Sequence, residues 1–142
     1  MSLDFGRIAL REAEKRRASY ADIRISEIIN ENLTVKNGEP EVVSLSQAKG
    51  FGIRVIVDGA WGFAGSVDIN EEEIKKTVEK AVSIARASAL LKKKDAFLVQ
   101  EKVCKDKYVT SFKKDPFKVP LDQKLDVLIQ AGRILKEQSP LI

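Results

Sequence analysis

Two dipeptides constrain this chain more than anything else in it: Asn37-Gly38 and Asp58-Gly59, each set between runs of strand-forming residues. A two-residue hairpin loop needs positive φ at both positions, and Asn-Gly and Asp-Gly adopt that conformation most readily. Once the turn is set, the register of its strands follows by counting, and so does the face on which each side chain lies. In residues 50–66, GFGIRVIVDGAWGFAGS, Val57 faces Ala60, Val55 faces Gly62, Ile53 faces Ala64 and Phe51 faces Ser66. These pairs share one side of the sheet. Large residues against very small ones leave a shallow floor that suits a closely docked helix. On the other side Ile56 meets Trp61, Arg54 meets Phe63, and Gly52 meets Gly65. Both faces are then substantially apolar, whereas an antiparallel meander normally leaves one face wet. The second face calls for a cover, and Gly52, Arg54, Ile56, Trp61 and Phe63 are the candidate surface for a partner or a peptide.

The first turn joins a strand over residues 20–35, bulged near Ile28-Ile29, to a return strand over 41–47, with Lys36 opposite Glu39. With the second hairpin this predicts a four-stranded antiparallel meander. Helices frame it. Residues 4–18 carry the stripe Phe5, Ile8, Ala9 and Ala13 behind Asp4. Asn70 caps a second helix, with Glu73 three residues on and three glutamates in the positive first turn. Its stripe is Ile74, Val78, Ala81, Val82, Ala85 and Ala89, ending near Leu91. Residues 95–118 are less regular, with short strands expected at 97–99 and 107–110 and a turn at Asp115-Pro116. A third helix follows Pro120, with Leu121, Leu125, Leu128, Ile129 and Leu135 on one face and Gly132 interrupting it. The expected fold class is α+β: an N-terminal helix and the meander with helices packed on it. Residues 1–94 read as the core, and 95–142 as a linker and third helix. Pro140-Leu141-Ile142 resemble the start of a further element.

The 142 residues hold no histidine and a single cysteine, Cys104. That removes the commonest general base and zinc ligand, and any thiolate cluster. Cys104 lacks an imidazole to activate it and reads as an inert thiol. No calcium loop, phosphate-binding loop, dinucleotide fingerprint or nucleophile elbow is present. The glycines of the hairpin have no following helix N-terminus among them, so they read as turn and packing positions. No catalytic or metal-binding residue is expected in this chain. The formal net charge is +4, but the basic residues are mostly interleaved with acidic ones. The clusters Lys92-Lys93-Lys94, Lys113-Lys114 and Arg16-Arg17 have no aromatic residues threaded through them to stack bases, so nucleic-acid binding is not expected. No apolar run approaches the roughly 20 residues of a membrane span, and the lone cysteine suits a reducing compartment. A cytoplasmic protein is expected.

Tyr20-Ala21-Asp22-Ile23-Arg24, then Gly50-Phe51-Gly52-Ile53-Arg54-Val55, then Asp58-Gly59-Ala60-Trp61-Gly62-Phe63-Ala64, resemble the start of the TldD/PmbA family, often labelled "modulator of DNA gyrase". Ile84-Ala85-Arg86 and the opening of the helix after Pro120 fit the same pattern. The resemblance spans nearly the whole chain. It implies a zinc metallopeptidase that works as a two-subunit assembly on unfolded or small peptides. The family's zinc motif, H-E-x-x-x-H, lies in its C-terminal part, so the zinc is expected there and none of its ligands carries over to this chain. On this resemblance the chain is a non-catalytic N-terminal domain for assembly and for the substrate channel. Its partners would be the missing C-terminal domain, a second subunit of the family and the peptide substrate. The alternative is a stand-alone protein-binding module, for instance a DNA gyrase modulator. A reading frame that continues past Ile142 into the zinc motif separates the two.

Overall fold

The computed structural model describes residues 2–138. The continuation suggested at Pro140-Leu141-Ile142 lies outside the described residues. The element order is α1 (Ser2–Lys15), β1 (Tyr20–Lys36), β2 (Glu39–Val57), β3 (Ala60–Ser66), α2 (Glu71–Ala89), a short 3-10 turn (Pro116–Lys118) and α3 (Leu121–Gln138). The α+β class holds. The strands form one sheet in the order β1-β2-β3, which leaves β1 and β3 as its edges.

The sheet has three strands, not four. The two expected middle strands, 41–47 and 50–57, are a single 19-residue strand, β2. The residues between them, 48–49, continue the strand, and Gly50 leaves room for the Ser66 carbonyl. A Cβ there would lie 2.9 Å from that oxygen. Both turns form as expected, with φ of 54° and 85° at Asn37 and Gly38, and 50° and 71° at Asp58 and Gly59. The β2–β3 register matches the counted one at every pair from Phe51↔Ser66 to Val57↔Ala60. Lys36 pairs with Glu41, at 3.5 Å, rather than with Glu39.

The chain divides into two compact units. One comprises the residues up to Ile28 together with Ala48–Glu101; the other comprises Ile29–Gln47 and the residues from Lys102 on. In the first unit α2 lies on β3 and α1 lies on α2. Asn70 caps α2 by accepting from the Glu73 N–H at 2.9 Å, and the helix buries Ile74, Thr77, Val78, Ala81, Val82 and Ala85. They meet Phe51, Ile53, Val55, Val57 and Ala64 of the sheet, with Ala9 and Ala13 of α1 in the same core and Phe5 and Ile8 against it. The floor of small residues is what admits this helix. A Cβ on Gly62 would sit 1.9 Å from the Ala81 carbonyl oxygen. Helix α1 ends three residues sooner than expected, in a pair of reversed hydrogen bonds, Ala18 N to Ala13 O and Arg17 N to Glu14 O. This termination puts a left-handed residue between them, and Arg17 occupies it at φ 62°. The chain beyond α2 returns to the second turn: Ala96 N donates to Gly59 O at 2.7 Å, and Lys92 reaches the Asp58 carbonyl and Asp95.

In the second unit the strands expected at 107–110 are absent, and 97–99 in the first unit is likewise irregular. Neither of these β-prone stretches is paired with a strand, and propensity without a pairing partner makes no strand. Asp115 caps the turn at Pro116–Lys118 by accepting from Phe117 N. Helix α3 starts after Pro120 as expected, yet buries none of its residues. Lys124 on α3 pairs with Glu31. No helix among the described residues is long and apolar enough to cross a membrane.

Candidate functional site on the outer face of the sheet

The sheet face turned away from α1 and α2 carries a cluster built by β1, β2 and β3 together. Strand alternation brings Tyr20 and Asp22 to the same face of β1, and the Asp58-Gly59 turn sets Trp61 and Phe63 beside Ile56 and Arg54. Arg54 donates from Nε (2.9 Å) and Nη2 (2.5 Å) to Asp22 Oδ2. The Tyr20 hydroxyl donates to the same oxygen at 2.9 Å. The guanidinium of Arg54 lies 5.5 Å from the Trp61 ring centroid, a cation–π distance. Tyr20 meets Trp61 edge-on, with centroids 5.8 Å apart. Arg54 thus acts as a carboxylate receptor and cation–π donor, with Trp61 as its ring and a carboxylate from β1.

The electrostatics follow from these contacts. Burial pushes the Asp22 carboxyl up, but hydrogen bonds from Arg54 and Tyr20, with the charges of Arg54 and Arg24, outweigh it and hold the group below the usual carboxylate value. The hydrogen bond to Asp22 pushes the Tyr20 phenol up, helped by burial. The same carboxylate pushes Arg54 further up. Asp22 Oδ1 is buried and accepts no hydrogen bond; Arg24 Nε lies 3.8 Å from it.

Four of the five candidate residues are accessible. Trp61 is 40% exposed and Phe63 61%, while Gly52 and Arg54 are half-buried. Ile56 is not part of an open surface. It is 4% exposed, next to a carbonyl group that accepts from Ser19 N at 2.8 Å. The Phe63 ring lies across Gly52, where a Cβ would be 2.9 Å from its Cε2. Beside it opens a cavity of about 580 Å³, lined among others by Asp22, Arg24, Gly52, Arg54, Phe63 and Val67. Tyr20, Asp22 and Arg24 belong to this site and were not among the sequence-based candidates. Their alternation along β1 is the signal that places them on one face.

The chemistry on offer is binding. Asp22 is engaged as an ion-pair partner, Cys104 is exposed and remote in sequence from the cluster, and no imidazole exists in the chain. Among the described residues no group of three or more His, Cys, Asp or Glu is arranged to hold a metal ion.

Comparison with known proteins places the chain. The profile of PmbA/TldA metallopeptidase domain 1 matches residues 21–85, which include the whole cluster from Asp22 to Phe63. A metalloprotease of Methanocaldococcus jannaschii is 31% identical over 120 residues, 84% of this chain and 27% of the relative. A zinc metalloprotease TldD homolog of Saccharolobus solfataricus is 36% identical over 69 residues, 49% of this chain and 15% of the relative. The crystal structure of TldE from Thermococcus kodakarensis superposes with a TM-score of 0.64 at 19% identity, covering 92% of this chain and 28% of that one, a likeness of fold. The chain therefore spans about a quarter of the length of these longer-matching proteins. Its sequence, by these matches, makes it a member of the PmbA/TldD metallopeptidase family, matched in that family's first domain over residues 21–85.

Proposed function

We propose that this chain is the non-catalytic first domain of a zinc metallopeptidase that acts on unfolded or small peptides in the cytoplasm. The outer face of its sheet, at Arg54, Trp61 and Phe63, is the surface that faces a second subunit, a further domain or the substrate channel. The zinc and its ligands belong to a part of the protein beyond these residues. The observation that supports this reading is the coexistence of a metalloprotease relative matched over most of the chain with no metal-holding group of His, Cys, Asp or Glu among the described residues. An exposed aromatic and cationic face beside the short edge strand β3 adds to it. Large exposed apolar patches mark interaction sites, and an open edge can take up an extended chain through backbone pairing.

The test starts from the natural gene. If the reading frame runs past Ile142 into H-E-x-x-x-H, the full protein is expected to cleave unfolded peptides in a zinc-dependent way. Residues 1–142 alone should neither cleave nor bind zinc stoichiometrically. A stop codon directly after Ile142, or tight zinc binding by the purified tag-free chain, would overturn the proposal and favour a stand-alone binding module.

A further inference from the structure

The cavity beside Phe63 carries an unbalanced charge. Its lining holds three cations, Arg24, Lys49 and Arg54, and a single carboxylate, Asp22. Lys49 is matched from outside the lining by Glu27, at 3.5 Å. The remaining two guanidinium groups share Asp22. One positive charge is left over, and it sits where the surface is otherwise apolar, against Phe63, Ile28 and Val67.

The donors are arranged to use it. A guanidinium has five N–H groups, and Arg54 directs Nε and Nη2 at one oxygen of Asp22. Its side chain remains 38% exposed, held in place by Asp22 and by Trp61 beneath it. Arg24 is 74% exposed and touches Asp22 only at 3.8 Å, so it turns toward a ligand at little cost. Planar donors held in one geometry suit a carboxylate. The cavity volume, about 580 Å³, lies within the roughly 300–1,000 Å³ of ordinary ligand sites.

We infer that this cavity receives the side-chain carboxylate of an extended peptide segment, with a neighbouring apolar side chain laid against Phe63 over Gly52. The inference rests on the proposed function for the use of this sheet face and adds the chemistry of what occupies it: an acidic residue beside an apolar one. An open trough on a sheet surface accommodates a chain that passes through, which favours a side-chain carboxylate over a chain terminus. Arg24 and Arg54 select the charge, and Phe63 with Gly52 selects the neighbour.

The chain carries its own reporter, because Trp61 is its only tryptophan and stacks on Arg54. The probe is a blocked pentapeptide, acetyl-Ala-Leu-Glu-Phe-Ala-amide, titrated into the chain while Trp61 emission is read. Saturable binding is expected, weakened about tenfold or more when Glu is replaced by Gln, the order of one charge-assisted hydrogen bond. Arg24→Gln is expected to weaken the Glu peptide by a similar factor and to leave the Gln peptide unchanged. As Arg24 is exposed, circular dichroism of the variant should match the parent. Equal binding of the Glu and Gln peptides, no binding at millimolar concentration, or a Gln peptide with a free C-terminus binding as well as the blocked Glu peptide would each overturn the inference. Since no peptidase activity is read, such a result would leave the reading-frame test of the proposed function standing.

Discussion

Gly62→Ala is the sharpest test of how this domain is held together. Gly62 is in an ordinary extended conformation, so alanine brings no backbone strain; what it brings is one methyl group. That group would lie 1.9 Å from the Ala81 carbonyl oxygen, 2.7 Å from the Ala85 nitrogen and 2.9 Å from the Ala85 Cβ. Two of the three atoms are helix backbone, which cannot rotate aside as a side chain can. Relief needs α2 to withdraw by about 1.5 Å to restore van der Waals distance. Ile74, Val78 and Val82, all buried on α2, would lose contact with the sheet together. Inserted methylenes in a packed core cost about 1–3 kcal/mol, occasionally more, and a backbone clash belongs at or above the top of that range. At about 4 °C per kcal/mol for a domain of this size, thermal melting should fall by roughly 12 °C or more. Gly132→Ala is the matched control. It sits inside α3 with nothing within 4 Å of the added Cβ, and should raise stability by about 0.5–1 kcal/mol through helix propensity. Melting of the two variants side by side checks the reasoning. Gly62→Ala within about 2 °C of the parent would show that α2 is not held against β3 by this close approach.

Arg17→Gly should stabilise the chain by about 1 kcal/mol, because a non-glycine residue in the left-handed conformation costs roughly that much; an unchanged or lower melting temperature would count against the helix-end geometry. Asp22 titrates below its unfolded value, so its stabilisation is present above the unfolded pKa, about 4, and is lost as pH falls through the folded one. Asp22→Asn should therefore melt below the parent at pH 7, with the gap closing as the pH falls below the unfolded value; a gap independent of pH would refute the ion-pair account. If the outer face is the assembly surface proposed for it, Trp61→Ala should leave the chain folded while weakening association in sedimentation, either with itself or with the proposed further domain. A melting loss above about 15 °C would instead make Trp61 part of the core.

Much of the first unit was legible in the sequence because its determinants are local. A two-residue turn with positive φ at both positions admits one register, so Asp58-Gly59 alone ordered the pairs from Phe51↔Ser66 to Val57↔Ala60. Asn70 with Glu73 marked the start of α2, and the alanine-rich stripe with the glycine floor foretold its close docking. The family resemblance was carried by the same segments. What the tertiary structure alone decided depends on partners distant along the chain. Asp22 and Arg54 lie 32 residues apart and meet only because β1 and β2 are neighbours. Gly50 neither demands nor forbids a turn, and β2 runs through it without a break. Ile56 alternates onto the outer face like Arg54, yet is buried there while Trp61 and Phe63 stay exposed. Residues 97–99 and 107–110 have the composition of strands but pair with none. Turn and cap preferences act over three or four residues and can be counted, whereas burial and pairing depend on which surfaces the rest of the chain brings together.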